Sequence, residues 1–218
     1  HRVLDFSLFR SKVFGIAIAI SLVRSFALYG GQFLLPLFLA RVQGYTESQI
    51  GWMILPGAAL IAGIFPFSGR GSDRYGAKPF IVSGLVILLG FFFLMSFVTE
   101  GTSFWGIQIP VLVRGVGLGL LVTPLAAIAL SSIPNEKAAN GSVMLNLAQQ
   151  LGGSLGIATL GSVIELQSKV YQSEGQAVIA ATVHSYRDAF RLGIAVCAIA
   201  LVLAILMPGR AANEGKIH

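Results

Sequence analysis

"GRGSDRYGAK", residues 69–78, separates two long apolar runs, and its reading decides the fold. It holds Arg70, Asp73, Arg74 and Lys78, punctuated by Gly69, Gly71 and Gly76. The run before it, from Ser48 to Gly69, carries no charge, and neither does the run after it, from Pro79 to Thr99. A helix crosses the hydrocarbon of a bilayer with about 20 mostly apolar residues, and each run supplies them. A charged, glycine-rich cluster between two such runs reads as a short aqueous turn between membrane helices.

The whole chain fits that reading. It has 218 residues, 55% hydrophobic and 11% charged. Soluble domains carry about 25% charged residues, and a soluble core of this size could not hide so much apolar surface. The net charge of +6 suggests no nucleic acid, because the basic residues sit in short segments between apolar runs, where they act as topology signals. The single cysteine, Cys197, lies inside an apolar run, so a packing role is expected and an intrachain disulfide framework is excluded. The chain opens on His1 with no secretory signal, and we expect a piece of a longer protein.

Six segments qualify as spans: 13–40, 48–69, 79–98, 104–131, 138–165 and 189–208. Strand-like alternation does not recur, so helices are expected. The connectors then fall on two faces. One holds 1–12, 70–78, 132–137 and 209–218, the other 41–47, 99–103 and 166–188. The first face carries most of the lysines and arginines, which predicts that it is cytoplasmic. Trp52, Phe104 and Trp105 fall at helix ends of the second face, as an aromatic belt would. The 166–188 segment reads as the one sizeable loop, mildly amphipathic, with a short interfacial helix.

Polar groups inside the spans carry the functional expectations. Arg24 and Arg114 lie at similar depth in the first and fourth helices, which run in opposite directions. That pattern suggests two three-helix units related by an inverted repeat. Each arginine either lines a cavity or hydrogen-bonds neighbouring helices. The fifth helix carries Ser142, Asn146, Gln149 and Gly153 on one face, with Gln150 and Ser154 nearby. That face meets either a wet cavity or another helix, as glue. Ala148, Gly152 and Gly156 form a small-residue seam for close helix approach. The third and sixth helices, nearly free of polar side chains, are expected outside, facing lipid. The first, second, fourth and fifth are expected around the cavity. No constellation for covalent catalysis, metal or cofactor is present, so the chain is not expected to be an enzyme.

"GRGSDRYGAK" resembles the cytoplasmic signature of the major facilitator superfamily, with Gly69, Asp73, Arg74, Gly76 and Lys78 matching and Ala77 replacing a basic residue. The stretches "LDFSLFR" (4–10), "RGVGLGLLVTP" (114–124) and "NLAQQLGGSLGIA" (146–158) resemble the C-terminal half of the fourteen-helix drug:proton antiporters of the EmrB/QacA type. An arginine common in that type is replaced by Gln149. The resemblance implies half of a secondary transporter with 3+3 inverted repeats, working by alternating access. Its partners would be the lipid bilayer, an amphiphilic small-molecule substrate, a proton and an absent N-terminal six- or eight-helix half. A periplasmic adaptor protein is a further partner of some members, and the bacterial inner membrane the location.

From this we expect a substrate cavity at Arg24, Gln32, Arg114, Asn146, Gln149 and Gln150. The conformational gate would be Gly69, Asp73, Arg74, Gly76 and Lys78, with Asp73 able to cap a helix start. Two other readings stay open: a non-transporting membrane scaffold or sensor derived from a half-transporter, and a half-size homodimeric transporter.

Overall fold

The computed structural model describes residues 6–207. Residues 1–5 and 208–218, expected on the basic face, lie outside that range. The described chain is six long helices: α1 (Lys12–Arg41), α2 (Glu47–Tyr75), α3 (Ala77–Met95), α4 (Phe104–Ser131), α5 (Ala138–Ser173) and α6 (Val178–Leu206). Local chemistry fixes several starts. Ser11 accepts from Phe14 N at 3.3 Å and Ser103 from Gly106 N at 3.2 Å, each satisfying an otherwise orphan first-turn amide. Thr46 and Gln49 form a reciprocal capping box at α2.

Two helix pairs run parallel. Along α1 and α5, Leu22 meets Gly152, Phe26 meets Gly156 and Gly30 meets Leu160, so both numbers rise together. Along α4 and α2, Val111 and Gly115 meet Gly57, and Gly119 meets Ile61 and Ile64. A Cβ on Gly115 would stand 2.5 Å from the Gly57 carbonyl oxygen, so only glycine lets these backbones approach. The two seams are equivalent in the inverted repeat of α1–α3 and α4–α6. Helices α3 and α6 are antiparallel, with Phe92 seated on Gly193 and Phe91 edge-on to Phe190. Helices α1 and α4 are the most enclosed. Phe14, Leu34, Phe38, Ile107 and Leu121 are fully buried, and the fully buried rings of Phe91 and Tyr186 join them from α3 and α6.

Five helices are long and apolar enough to cross a membrane by length and composition; α5 is not among them. Its amides and glycines dilute the hydropathy. Yet its seam follows α1 over the length of that span, so α5 crosses where α1 crosses. The chain is an all-helical, multi-pass membrane protein.

The structure corrects two expectations. Segment 166–188 is not a loop. α5 stays helical through Ser173 and α6 begins at Val178, leaving only 174–177 as the turn. Gly175 at φ 86° closes α5 with two Schellman bonds, Gln176 N to Tyr171 O and Gly175 N to Gln172 O. The 70–78 turn is also tighter than expected. α2 runs to Tyr75 and only Gly76, at φ 87° and ψ 157°, separates it from α3. That backbone conformation is essentially open to glycine alone.

Candidate functional site

The amide face of α5 is divided between buried and open positions. Gly153 is buried against Tyr29 of α1, and Ser142 donates back to Ala138 O at 3.0 Å. Gln149 is half-buried. Asn146, Gln150 and Ser154, four residues apart along the helix, are exposed and no other helix of this chain covers them. The amides of Asn146 and Gln150 make no hydrogen bond among the described residues. Leu147, Leu151 and Leu155 flank them and are 43%, 58% and 50% exposed. The result is an open amphipathic stripe on a helix held inside the bilayer.

The two arginines are enclosed by the bundle itself, at 6% exposure for Arg24 and 4% for Arg114. Arg24 Nη2 makes a long 3.5 Å contact with Ser25 Oγ, beside buried Ser21. Arg114 lies over the Phe91 ring at 5.7 Å, a cation–π distance. Gly31 of α1 makes the room: a Cβ there would stand 2.9 Å from Arg114 Nη1. That Nη1 has no hydrogen-bond partner. A charge at this depth costs roughly 2.5–3.5 kcal/mol on insertion scales.

The six expected cavity residues do not form one cluster. Gln32 is exposed in a groove between α1 and α2, with Pro36, Glu47 and Ile50. The α1–α5 register sets it level with residue 162, about 18 Å along the axis from Gln150. The structure therefore separates two enclosed cations, an open amide stripe and a remote glutamine.

At the opposite end, the basic cluster occupies the last turns of α2. Gly69 rests on Thr123 of α4. Asp73 and Arg74 are exposed, and the guanidinium of Arg74 lies 5.4 Å from the Tyr75 ring. Asp73 does not cap α3, contrary to expectation: the N-cap is Gly76 and no side chain bonds there. The direct run from α2 into α3 keeps the carboxylate on α2's own surface. Asp73, Arg74 and Lys78 line a cleft of about 880 Å³ closed on its far side by Ala127, Ile128 and Ser131 of α4. Lys78 is engaged elsewhere, donating to Ile205 O and Met207 O at 2.7 Å each.

Sequence reasoning missed three ties. These are Lys78 to the end of α6, Arg187 Nε to Ser96 O at 3.0 Å, and Tyr171 Oη to Asp188 Oδ2 at 2.5 Å. Only the last had a local signal, a tyrosine and an aspartate either side of a glycine turn. No group of acids, histidines and cysteine that could hold a metal exists among the described residues.

The Major Facilitator Superfamily profile matches residues 3–157, well over half of the chain. The chain belongs to the major facilitator superfamily. Multidrug resistance protein Stp of Mycobacterium tuberculosis is 35% identical over 163 residues, 74% of this chain and 30% of that protein. Lincomycin resistance protein LmrB of Listeria monocytogenes is 23% identical over 94% of this chain and 45% of its own length. Among solved structures, one of proton-dependent oligopeptide transporters superimposes with a TM-score of 0.78 at 23% identity, covering 93% of this chain and 43% of that one. Tetrameric PepTSo2 gives 0.77 at 22% identity, over 89% and 40%. These likenesses show the superfamily's fold. The chain spans less than half the length of these relatives.

Proposed function

We propose that this chain is the C-terminal six-helix half of a fourteen-helix drug:proton antiporter of the EmrB/QacA type. The observation that carries the reading is the open α5 stripe. Asn146, Gln150 and Ser154 stand uncovered on a membrane helix, and amides facing acyl chains would go unsatisfied. A second half packing around a wet central seam satisfies them and covers the flanking leucines. The relatives named for resistance to multiple drugs and to lincomycin support an amphiphilic cargo.

In this reading the two halves rock about the seam. The described spans hold no aspartate or glutamate at depth, so the absent half supplies the proton-coupling acids. The Asp73–Arg74 end of α2 faces the cytoplasm and closes one access state against that half. The opposite face, with the α5–α6 turn, is periplasmic and available to an adaptor protein in the bacterial inner membrane. The test is efflux of a fluorescent amphiphilic dye from cells expressing the full-length gene, with and without a proton uncoupler. Uncoupler-sensitive efflux is expected. Dye retention equal to empty cells, with the protein present in the membrane, would establish the scaffold reading instead.

A further inference from the structure

The gate-like turn contains one residue that its neighbours do not resemble. Lys78 stands in the first turn of α3 and donates to Ile205 O and Met207 O, both at 2.7 Å. Met207 is the C-cap of α6, and the last carbonyls of a helix are its negative, unsatisfied end. At the other end of the same helix pair the arrangement repeats with roles exchanged. Arg187, in the third turn of α6, donates through Nε to Ser96 O at 3.0 Å. Ser96 is the C-cap of α3 and is buried. Each of the two helices thus sends a cation, Lys78 from the first turn and Arg187 from the third, to the terminal carbonyls of the other. Between the two ties run the Phe92–Gly193 contact and the Phe91, Phe92 and Phe190 rings.

We propose that Lys78 and Arg187 are reciprocal staples that lock α3 and α6 into one rigid pair, and that Lys78 is a positioning residue of this frame, separate from the gate. Asp73 and Arg74 differ from it in the way this requires. Both are exposed and neither makes a hydrogen bond or ion pair among the described residues, so both are available to a surface that moves. Lys78 already has two acceptors within its own half. A cation held by backbone carbonyls cannot also release and re-form a contact across the halves without opening the end of α6. The five-residue spacing between Asp73 and Lys78 therefore joins two jobs: a switchable pair on α2, and a fixed anchor at the start of α3. The frame holds α3 and α6 together while the α1–α5 and α2–α4 pairs border the seam. The separation from the gate rests on the transport reading above; the staple itself does not.

The experiment is amide hydrogen exchange on the purified full-length protein, read by peptides covering 200–207 and 94–98. Lys78→Met is expected to raise exchange at the end of α6 by about tenfold, the loss of charge-assisted hydrogen bonds at a helix terminus. Lys78→Arg, which keeps the donor, is expected to restore it to within about twofold. Arg187→Met is expected to do the same at the end of α3, and it reads the proposal from the other end should Lys78→Met not be recovered folded. In parallel, a cysteine placed at Ala127 in the cleft is labelled with maleimide in each variant. Asp73→Asn is expected to change that labelling rate, and Lys78→Met to leave it unchanged. Unaltered exchange at both helix ends overturns the staple. Labelling altered equally by Lys78→Met and Asp73→Asn overturns the separation from the gate. Exchange that responds as expected while no variant alters labelling sinks the gate reading and leaves the staple standing.

Discussion

Helices α2 and α5 hold the same place in their repeats, each the parallel partner of a central helix, and they differ in what they leave uncovered. α5 grips α1 through Gly152 and Gly156 and turns Asn146, Gln150 and Ser154 outward. α2 grips α4 through Gly57 and turns Trp52, Leu55, Phe65 and Phe67 outward, 74%, 53%, 44% and 70% exposed. The gripping faces are alike because close backbone approach has one chemical solution, the absence of a Cβ. The open faces are unlike because their surroundings differ. An aromatic and aliphatic face is content with acyl chains or a dry helix, whereas an amide face requires water or polar partners.

The comparison breaks first at the seams. Gly152→Leu and Gly57→Leu each drive a side chain into backbone or a packed neighbour, Leu22 O and Val111 respectively. Each is expected to cost about 3 kcal/mol or more, because backbone cannot shift aside as a side chain can. Gly63→Leu, on the open side of α2 with nothing within 4 Å, is expected to stay within about 0.5 kcal/mol. Thermal unfolding in detergent measures all three, and a well-folded Gly152→Leu protein would refute the seam.

Next come the open faces. Replacing Asn146 and Gln150 together by leucine is expected to cut dye efflux at least about tenfold while the unfolding temperature holds, since these amides make no hydrogen bond within the bundle for the substitution to break. Trp52→Leu with Phe67→Leu is expected to change efflux less than about twofold, as apolar swaps on an apolar face should. Equal losses from the two pairs would mean that both faces see the same environment.

Asp73→Asn should leave expression intact and reduce efflux. A normally transporting variant at wild-type abundance removes Asp73 from the gate.

The smallest effect lies in the α5–α6 turn. The Tyr171 hydroxyl donates to the Asp188 carboxylate, which raises its pKa above the ordinary tyrosine value of 10.0. A raised folded-state value means that the tie is complete below about pH 10 and is lost as pH climbs through the folded value. Tyr171→Phe is expected to cost under about 1 kcal/mol and to flatten the alkaline limb of the stability curve. An unchanged alkaline limb in that variant would show that the tie contributes nothing.

Much of the fold was legible because lipid leaves few options. Charge-free runs bounded by Arg70, Asp73 and Arg74 mark spans whatever their partners, and the glycines of "NLAQQLGGSLGIA" announced a close crossing. The overrun of α5 was not legible. Val170, Val178, Ile179 and Val183 lie among serines, glutamines and a glutamate, and the helical signal there was weaker than the turn signal of Gly175. The candidate site was legible by residue type but not by orientation. Arg24 and Arg114 lie well inside α1 and α4, yet which way a guanidinium points depends on neighbours remote in sequence, such as the space left by Gly31. The tie from Lys78 to Met207 spans 129 residues and has no local trace at all.

The α5–α6 turn also has a practical consequence. α5 continues for about 12 Å past residue 165 and reverses within residues 174–177, with the Tyr171–Asp188 bond bracing the two helices and Arg191 holding Asp188 from within α6. By the α1–α5 register Tyr171 stands level with Arg41, so this short turn closes the end of the bundle. An epitope or fused helical domain grafted onto it would be held stiffly and would supply the asymmetric mass that image alignment in electron cryomicroscopy demands.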